Sequence, residues 1–379
     1  MRLEEIKLRA FRNYTELAFR PGPGLNLLTG GNAQGKSNLL EAVYLLATSR
    51  SLRAGRESEL IQRGAESTQV RAAVLRDKDA DVLLEVDVFQ TDKKVVRING
   101  VRRPRVIELL GHLNAVTFGA PDLPIVAGEP SMRRRWLNLE ISQISPRYVF
   151  ELASFKKALE QRNRLLKELR DRPLGGSLLD AWSEQIVVHG SPLIDRRRFF
   201  LEHLAPLADE AHRELTDGEE SLAIRYVSSI PLPGAGGTPA LEESFRGELV
   251  RLCAEELRRG ASLAGPQRDD VQFLINGMDA RVFGSQGQQR TAVLALKLAQ
   301  YRLMEEYVGE PPVVLLDDVM SDLDERRREH LLRWVRRRCQ TLLTCTSLRD
   351  LPSDLVGEAC VHRVCGGGIV PAPTERELE

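Results

Sequence analysis

Gly30-Gly31-Asn32-Ala33-Gln34-Gly35-Lys36-Ser37 follows directly on the apolar run Leu25-Asn26-Leu27-Leu28 and leads into Asn38-Leu39-Leu40-Glu41-Ala42-Val43. The pattern is a strand, a glycine-rich loop and a helix start, the order a nucleotide phosphate needs. Glycines let backbone N–H groups turn inward around the phosphates, Lys36 adds a point charge, and the Ser37 hydroxyl suits Mg²⁺. The helix aims the positive end of its dipole at the same anion. The bare pattern arises by chance in many chains, but without a strand before it and a helix after it. The stretch therefore predicts a nucleoside triphosphate site built from Gly30, Gly31, Asn32, Ala33, Gln34, Gly35, Lys36 and Ser37.

Far along the chain, Val313-Val314-Leu315-Leu316-Asp317-Asp318 is an apolar run that suits a buried parallel strand and ends in two carboxylates. An acid at the end of such a strand is where a P-loop protein holds Mg²⁺, so Asp317 is expected to share the metal with Ser37. The second acid, Asp318, is placed to take the proton of an attacking water, with Lys36 as its catalytic partner on the phosphates. Between these blocks lies Ser285-Gln286-Gly287-Gln288-Gln289-Arg290, and after them Ser321-Asp322-Leu323-Asp324. An S-x-G-Q stretch opening a helix is a second phosphate-binding N-terminus. One ATP has no use for two such ends from one chain, so Ser285, Gln286, Gly287 and Gln288 are expected to meet the γ-phosphate held by a second copy.

Phosphate loop, S-x-G-Q, acidic strand and a D-loop of the S-x-L-D type (Ser321, Asp324), in that order, describe an ATP-binding-cassette ATPase. Within that class the chain resembles the RecF family of bacterial recombination mediators, which have SMC-like heads. Phe11-Arg12-Asn13-Tyr14 looks like the family's early F-R-N-Y, and Ser51-Leu52-Arg53 fits its S-x-R. Arg133-Arg134-Arg135-Trp136-Leu137 is similar to R-R-R-F-L, and Gln161-Arg162-Asn163-Arg164-Leu165-Leu166-Lys167 to Q-R-N-x-L-L-K. Gly265-Pro266-Gln267-Arg268-Asp269-Asp270 resembles G-P-H-R-D-D, with Gln267 in place of the usual His; Asn138 likewise replaces an Asp. In Phe118-Gly119-Ala120-Pro121-Asp122-Leu123, where other cassette ATPases place a Q-loop glutamine, none is present. Thr344-Cys345-Thr346 stands where many have a switch histidine, which points to a hydroxyl as the γ-phosphate sensor.

The resemblance implies an α/β fold: an ABC-type P-loop ATPase head with a mixed-sheet core and an antiparallel β subdomain, plus an inserted helical lobe and no long coiled coil. Residues 1–128 and 265–379 would form a discontinuous ATPase lobe and 129–264 the helical lobe. Periodicity agrees in outline. Residues 2–29 alternate as strands do, and 68–99 give three more strand runs. A long charged helix spans Pro146 to Arg170, returning through Pro173-Leu174-Gly175-Gly176. Ser229 to Pro239 reads as a surface loop, and Asp269 to Phe283 returns to strands.

The implied function is ATP-dependent DNA binding in recombinational repair and replication restart. ATP and Mg²⁺ would glue two heads into a homodimeric clamp on gapped duplex, and slow hydrolysis would release it. RecR would be the partner, with RecO and RecA downstream. The alternative is a cassette ATPase coupled to a transporter or nuclease. A transporter subunit normally keeps the Q-loop glutamine and switch histidine, and little sequence follows Asp324 to form the Toprim domain of such a nuclease.

Composition sets limits. Lys plus Arg equals Asp plus Glu at 54 each, so any affinity for DNA must come from a local patch. Arg133-Arg134-Arg135, Arg196-Arg197-Arg198, Arg326-Arg327-Arg328 and Arg336-Arg337-Arg338 are candidate patches or solvated helix faces. Arg53, in a segment that resembles an arginine loop of SMC-like heads, is the first single-residue DNA candidate. Met1-Arg2-Leu3-Glu4-Glu5 leads into an amphipathic strand rather than a signal segment, and no apolar run reaches membrane length. Five cysteines without metal spacing fit a reduced, cytoplasmic protein.

Overall fold

The computed structural model describes residues 1–171, 177–234, 236–321, 323, 325–335 and 339–370. They form two compact units, Met1–Leu123 with Glu210–Glu219 and Arg290–Glu379, and Pro124–Asp209 with Glu220–Gln289.

The first unit holds two six-stranded sheets. In the antiparallel one, β1 (Arg2–Phe11), β2 (Tyr14–Phe19), β4 (Ser67–Leu75), β5 (Val82–Phe89), β6 (Lys94–Ile98) and β7 (Val101–Arg103) lie in the order β2-β1-β4-β5-β6-β7. Its strands alternate buried and exposed positions, as a sheet with one wet face requires. The other sheet orders β15-β14-β3-β13-β12-β8, from β3 (Leu25–Thr29), β8 (Ala115–Gly119), β12 (Val313–Asp317), β13 (Thr341–Cys345), β14 (Cys360–Cys365) and β15 (Gly368–Val370). Here β8, β12, β13, β3 and β14 run parallel, and the central strands are buried almost end to end. That is why Leu25–Thr29 does not continue the alternation of β1 and β2. The helices of this unit include α1 (Lys36–Thr48) directly after β3, with 11 buried residues.

In the second unit α2 (Pro124–Ala127), α3 (Pro130–Ile144), α4 (Pro146–Asp171), α5 (Ser177–Leu215) as far as Asp209, and α6 (Gly237–Arg259) accompany a three-stranded sheet. That sheet, β9 (Leu222–Val227), β10 (Asp270–Ile275) and β11 (Met278–Asp279), places its longest ladder between β9 and β10. Where 129–264 is expected as the helical lobe, the compact unit comprises Pro124–Asp209 and Glu220–Gln289, and β9 pairs with β10 from the segment expected in the ATPase lobe. It is also not purely helical, and α6 already starts at Gly237 inside the expected loop. Pro173 to Gly176 lie outside the described residues. The helices α7 (Gln286–Val308), α8 (Glu325–Val335) and α9 (Ser353–Glu358) complete the chain. No helix among the described residues is long and apolar enough to cross a membrane.

The Q-R-N segment of α4 has a structural role. Arg162, almost fully buried, donates to Glu256 at 2.6 Å, Ser262 at 2.7 Å and Ser183 at 2.9 Å. Asn163 accepts the Ser262 N–H, and Glu256 also accepts the Leu263 N–H. One cation thus ties α4, α5 and the turn after α6 together. Glu256→Ala strands a buried guanidinium, so chemical denaturation should show a loss of about 3–5 kcal/mol. A loss within about 0.5 kcal/mol, the range of surface changes, would mean the pair does not hold the unit together.

Candidate nucleotide site

The carboxyl ends of the parallel strands bring the distant motifs to one edge, where open α/β sheets bind ligands. The phosphate loop leaves β3, Asp317 ends β12 with Asp318 directly after it, Thr344 is the penultimate residue of β13, and Gly119 ends β8. The register sets Asp317 opposite both Thr344 and Gly119.

Two loop glycines are required by space as well as by dihedral. At Gly30 (φ 150°) a Cβ would lie 2.3 Å from the Val364 carbonyl; at Gly35 (φ 118°) it would strike the side chains of Asn13 and Tyr14. Those side chains brace the loop. Asn13 donates to the Gln34 carbonyl and the Tyr14 hydroxyl to the Gly35 carbonyl, each at 2.9 Å. From the β14–β15 turn, Gly366 N–H donates to Gln34 Oε1 at 2.7 Å and Gly367 N–H to the Gln34 carbonyl at 3.2 Å. Lys36 Nζ lies against the carbonyls of Gly30 and Gly31, at 2.6 and 2.8 Å. A phosphate oxygen entering the loop offers the ammonium a charged acceptor in their place.

Beneath the loop, Glu41 on α1 has no exposure to solvent. It accepts both Arg12 Nε and Nη2 at 2.9 Å and a short hydrogen bond from Ser51. Burial pushes its carboxyl upward, but the Arg12 and Ser51 hydrogen bonds and the charges of Arg12 and Arg53 outweigh that and hold it below the usual range. Ser51 Oγ in turn accepts the N–H groups of Arg53 and Ala54. The F-R-N-Y and S-x-R segments are therefore two supports of the same helix.

Ser37 Oγ donates to Asp317 Oδ1 at 2.6 Å, and Thr344 Oγ1 donates to the same oxygen at 2.9 Å. Asn32 to Asn38, Arg53, Asp318, Thr344 and Thr346 line a cavity of about 150 Å³. The oxygen donors fit Mg²⁺. It keeps several waters and takes one or two protein ligands plus phosphate, and Ser37 and Asp317 supply such a pair of hard ligands.

Other expected residues lie elsewhere. Asp122, in the Q-loop segment, is buried against Lys297 of α7 at 2.8 Å and accepts the Gly119 N–H at 3.0 Å. Burial raises its carboxyl, which Lys297 opposes. Ser285 caps α7 in a reciprocal box: its Oγ accepts the Gln288 N–H while Gln288 Oε1 accepts the Ser285 N–H. Ser285 and Gln286 are exposed, and Gly287 and Gln288 are half-buried. These four belong to the second unit and the phosphate loop to the first. Ser321 ends the short turn Val319–Ser321, and Asp324 lies outside the described residues.

Two of the arginine runs are partly core. Arg133 grips Asp270 at 2.7 and 2.8 Å, and Arg134 donates to the Asp269 carbonyl. Buried Arg197 donates to Tyr148, Asn138 and the Pro266 carbonyl. The R-R-R and G-P-x-R-D-D segments are thus cross-braced within the second unit. Arg336 to Arg338 lie outside the described residues.

Fold and site together define a P-loop ATPase head of the ATP-binding-cassette class. Residues 2–353 match the RecF/RecN/SMC N-terminal domain family. The chain is 44% identical over 352 residues to the DNA replication and repair protein RecF of Symbiobacterium thermophilum, with 93% of each chain covered. It is 43% identical over 369 residues to that of Thermosynechococcus vestitus, with 97% of each covered. A solved structure of the recombination mediator protein RecF with ATP, in the RecFOR pathway, superimposes with a TM-score of 0.91 at 35% identity, covering 98% of this chain and 97% of the other. An SMC head from Pyrococcus furiosus shares the fold at a TM-score of 0.56 and 16% identity, covering 99% of this chain and 97% of the other. The chain belongs to the RecF family, a family of P-loop ATPases in DNA replication and repair.

Sequence reasoning missed Glu41, Asn13 and the Gly366-Gly367 turn as parts of the site. Glu41→Gln keeps the shape but loses the charge-assisted bonds, and should cost about 1.5–3 kcal/mol near neutral pH. Because the folded carboxyl titrates lower than the unfolded one, its contribution is present above the unfolded pKa and fades as pH falls through the folded value. Melting curves of both proteins should converge below the ordinary carboxylate range; a constant gap down to about pH 3 would contradict the ion pair.

Proposed function

We propose that this chain is an ATP-operated DNA clamp of recombinational repair. The observation that carries the reading is the joining of Ser37 to Asp317 at 2.6 Å beside the phosphate loop, with Asp318 on the same cavity. Lys36 and the loop N–H groups take the β- and γ-phosphates. Ser37 and Asp317 hold Mg²⁺, which when bound offsets the charge that develops on the phosphates. Asp318 takes the proton from the attacking water.

The S-x-G-Q residues act in trans. With the Ser285 oxygen accepting the Gln288 N–H, its own proton is available to a γ-phosphate oxygen of a second copy. Two ATP molecules bridge two heads through charge-assisted hydrogen bonds, and loss of the γ-phosphate removes them. Arg53 lines the phosphate cavity and is exposed, so it contacts nucleotide and, in the dimer, DNA backbone. The clamp works in the cytoplasm on gapped duplex, with RecR as partner and RecO and RecA downstream.

Light scattering should find a monomer without nucleotide and a dimer with ATP and Mg²⁺. Ser285→Arg should abolish that dimer, Lys36→Met should lose tight binding and dimer together, and Asp318→Asn should trap a long-lived dimer. Normal ATP-dependent dimerisation by Ser285→Arg would sink the trans arrangement, and rapid turnover by Asp318→Asn would remove that residue from its role.

DNA affinity should fall steeply with salt, depend little on base sequence and rise with ATP, since dimerisation joins two half-sites. Charge reversal at Arg53 should weaken ATP-dependent duplex binding far more than reversal at the exposed Arg258 of α6. Equal, small effects from both would exclude Arg53 as a DNA contact.

A further inference from the structure

The hydroxyls that replace a switch histidine are not equivalent. Thr346 is exposed on the phosphate cavity, whereas Thr344 is 1% exposed and its hydroxyl is already engaged on both sides. Its single proton goes to Asp317 Oδ1 at 2.9 Å; the alternative acceptor, the Leu316 carbonyl, is 3.5 Å away and carries no charge. Its oxygen accepts the peptide N–H of Asp318 at 2.9 Å.

Asp318 needs that support. Its φ is +54°, the left-handed region that residues other than glycine enter at a cost. The turn at the end of β12 lifts Asp318 out of the strand, so that Asp317 and Asp318 do not simply alternate across the sheet. Asp317 stays half-buried on the Ser37 hydroxyl, and Asp318 is exposed on the cavity. The parallel register puts Thr344 directly opposite Asp317, within reach of both.

We propose that Thr344 is a positioning residue for hydrolysis, holding Asp317 toward Ser37 and fixing the Asp318 peptide so that its carboxylate faces the water. It undergoes no chemical change itself; the proton of the water still goes to Asp318. Sensing of the γ-phosphate then falls to Thr346, which is exposed on the cavity. The assignment rests on the reading of Asp318 as the base.

Thr344→Val preserves volume and removes both hydrogen bonds. In steady-state ATPase assays kcat should fall about 10–100-fold, the range for hydrogen bonds to charged groups, with KM and nucleotide Kd within about threefold. Thr344→Ser should restore kcat to within about threefold, because it returns the hydroxyl and not the methyl. Combined with Asp318→Asn, the valine change should add less than its full loss, since the part of its effect that acts through Asp318 is already gone. Unchanged kcat in Thr344→Val, a loss that serine does not recover, or full additivity with Asp318→Asn would each overturn the proposal. If Asp318→Asn alone hydrolyses ATP like the parent protein, the base assignment fails instead, whatever Thr344→Val does.

Discussion

Glu41 sits on the first helix after the phosphate loop, closed off from water, with the Arg12 guanidinium on both its oxygens and the Ser51 hydroxyl on one of them. An isolated carboxylate in that position would be neutralised or unfold the helix. With the arginine paired to it, the same charge fixes three segments at once. The β1–β2 turn must bring Arg12 underneath α1. That turn also carries Asn13 and Tyr14 to the loop carbonyls. Ser51 must close the turn that presents Arg53 to the cavity. The loop's N–H groups are held ready for phosphate because its carbonyls are bonded elsewhere, so little ordering remains when ATP arrives.

The second constraint is the parallel sheet. Its central strands are apolar and covered on both faces, so polar chemistry can appear only where they end. Four strands ending at one edge deliver a loop, two acids, a threonine and a glycine to a common place without any of them being near in sequence. The cost falls on Asp318, which leaves the strand through a left-handed backbone. Such conformations gather at sites where geometry matters more than local stability.

Much of this was legible in the residues. The phosphate loop and acidic strand can be read because their chemistry needs particular side chains at consecutive positions between a strand and a helix. β12 was legible as a buried run. What escaped depends on contacts between distant positions. Arg12 and Glu41 are 29 residues apart, and nothing in either neighbourhood says that they meet. β9 lies among helices, and Leu222–Val227 becomes a strand because β10 pairs with it. That pairing is invisible locally. The arginine runs misled in the opposite direction: proximity in sequence suggested patches, while Arg133 and Arg197 turn inward to satisfy buried polar partners.

The cap on α7 is a local helix device at the residue proposed to act in trans. A serine whose oxygen accepts from the Gln288 N–H satisfies one orphan donor of the helix end without giving away its proton. Gln288 closes the box from the other side and is anchored by its own Nε2 to Glu220. The helix start is thus capped from both sides. Alanine at 285 would lose the cap and, on the proposed reading, the phosphate donor with it, so stability and assembly would change together. Threonine keeps both the oxygen and the proton and adds only a methyl group. A dimer closed over the γ-phosphate, as proposed, would ask at this position for a small hydroxyl rather than for any helix cap.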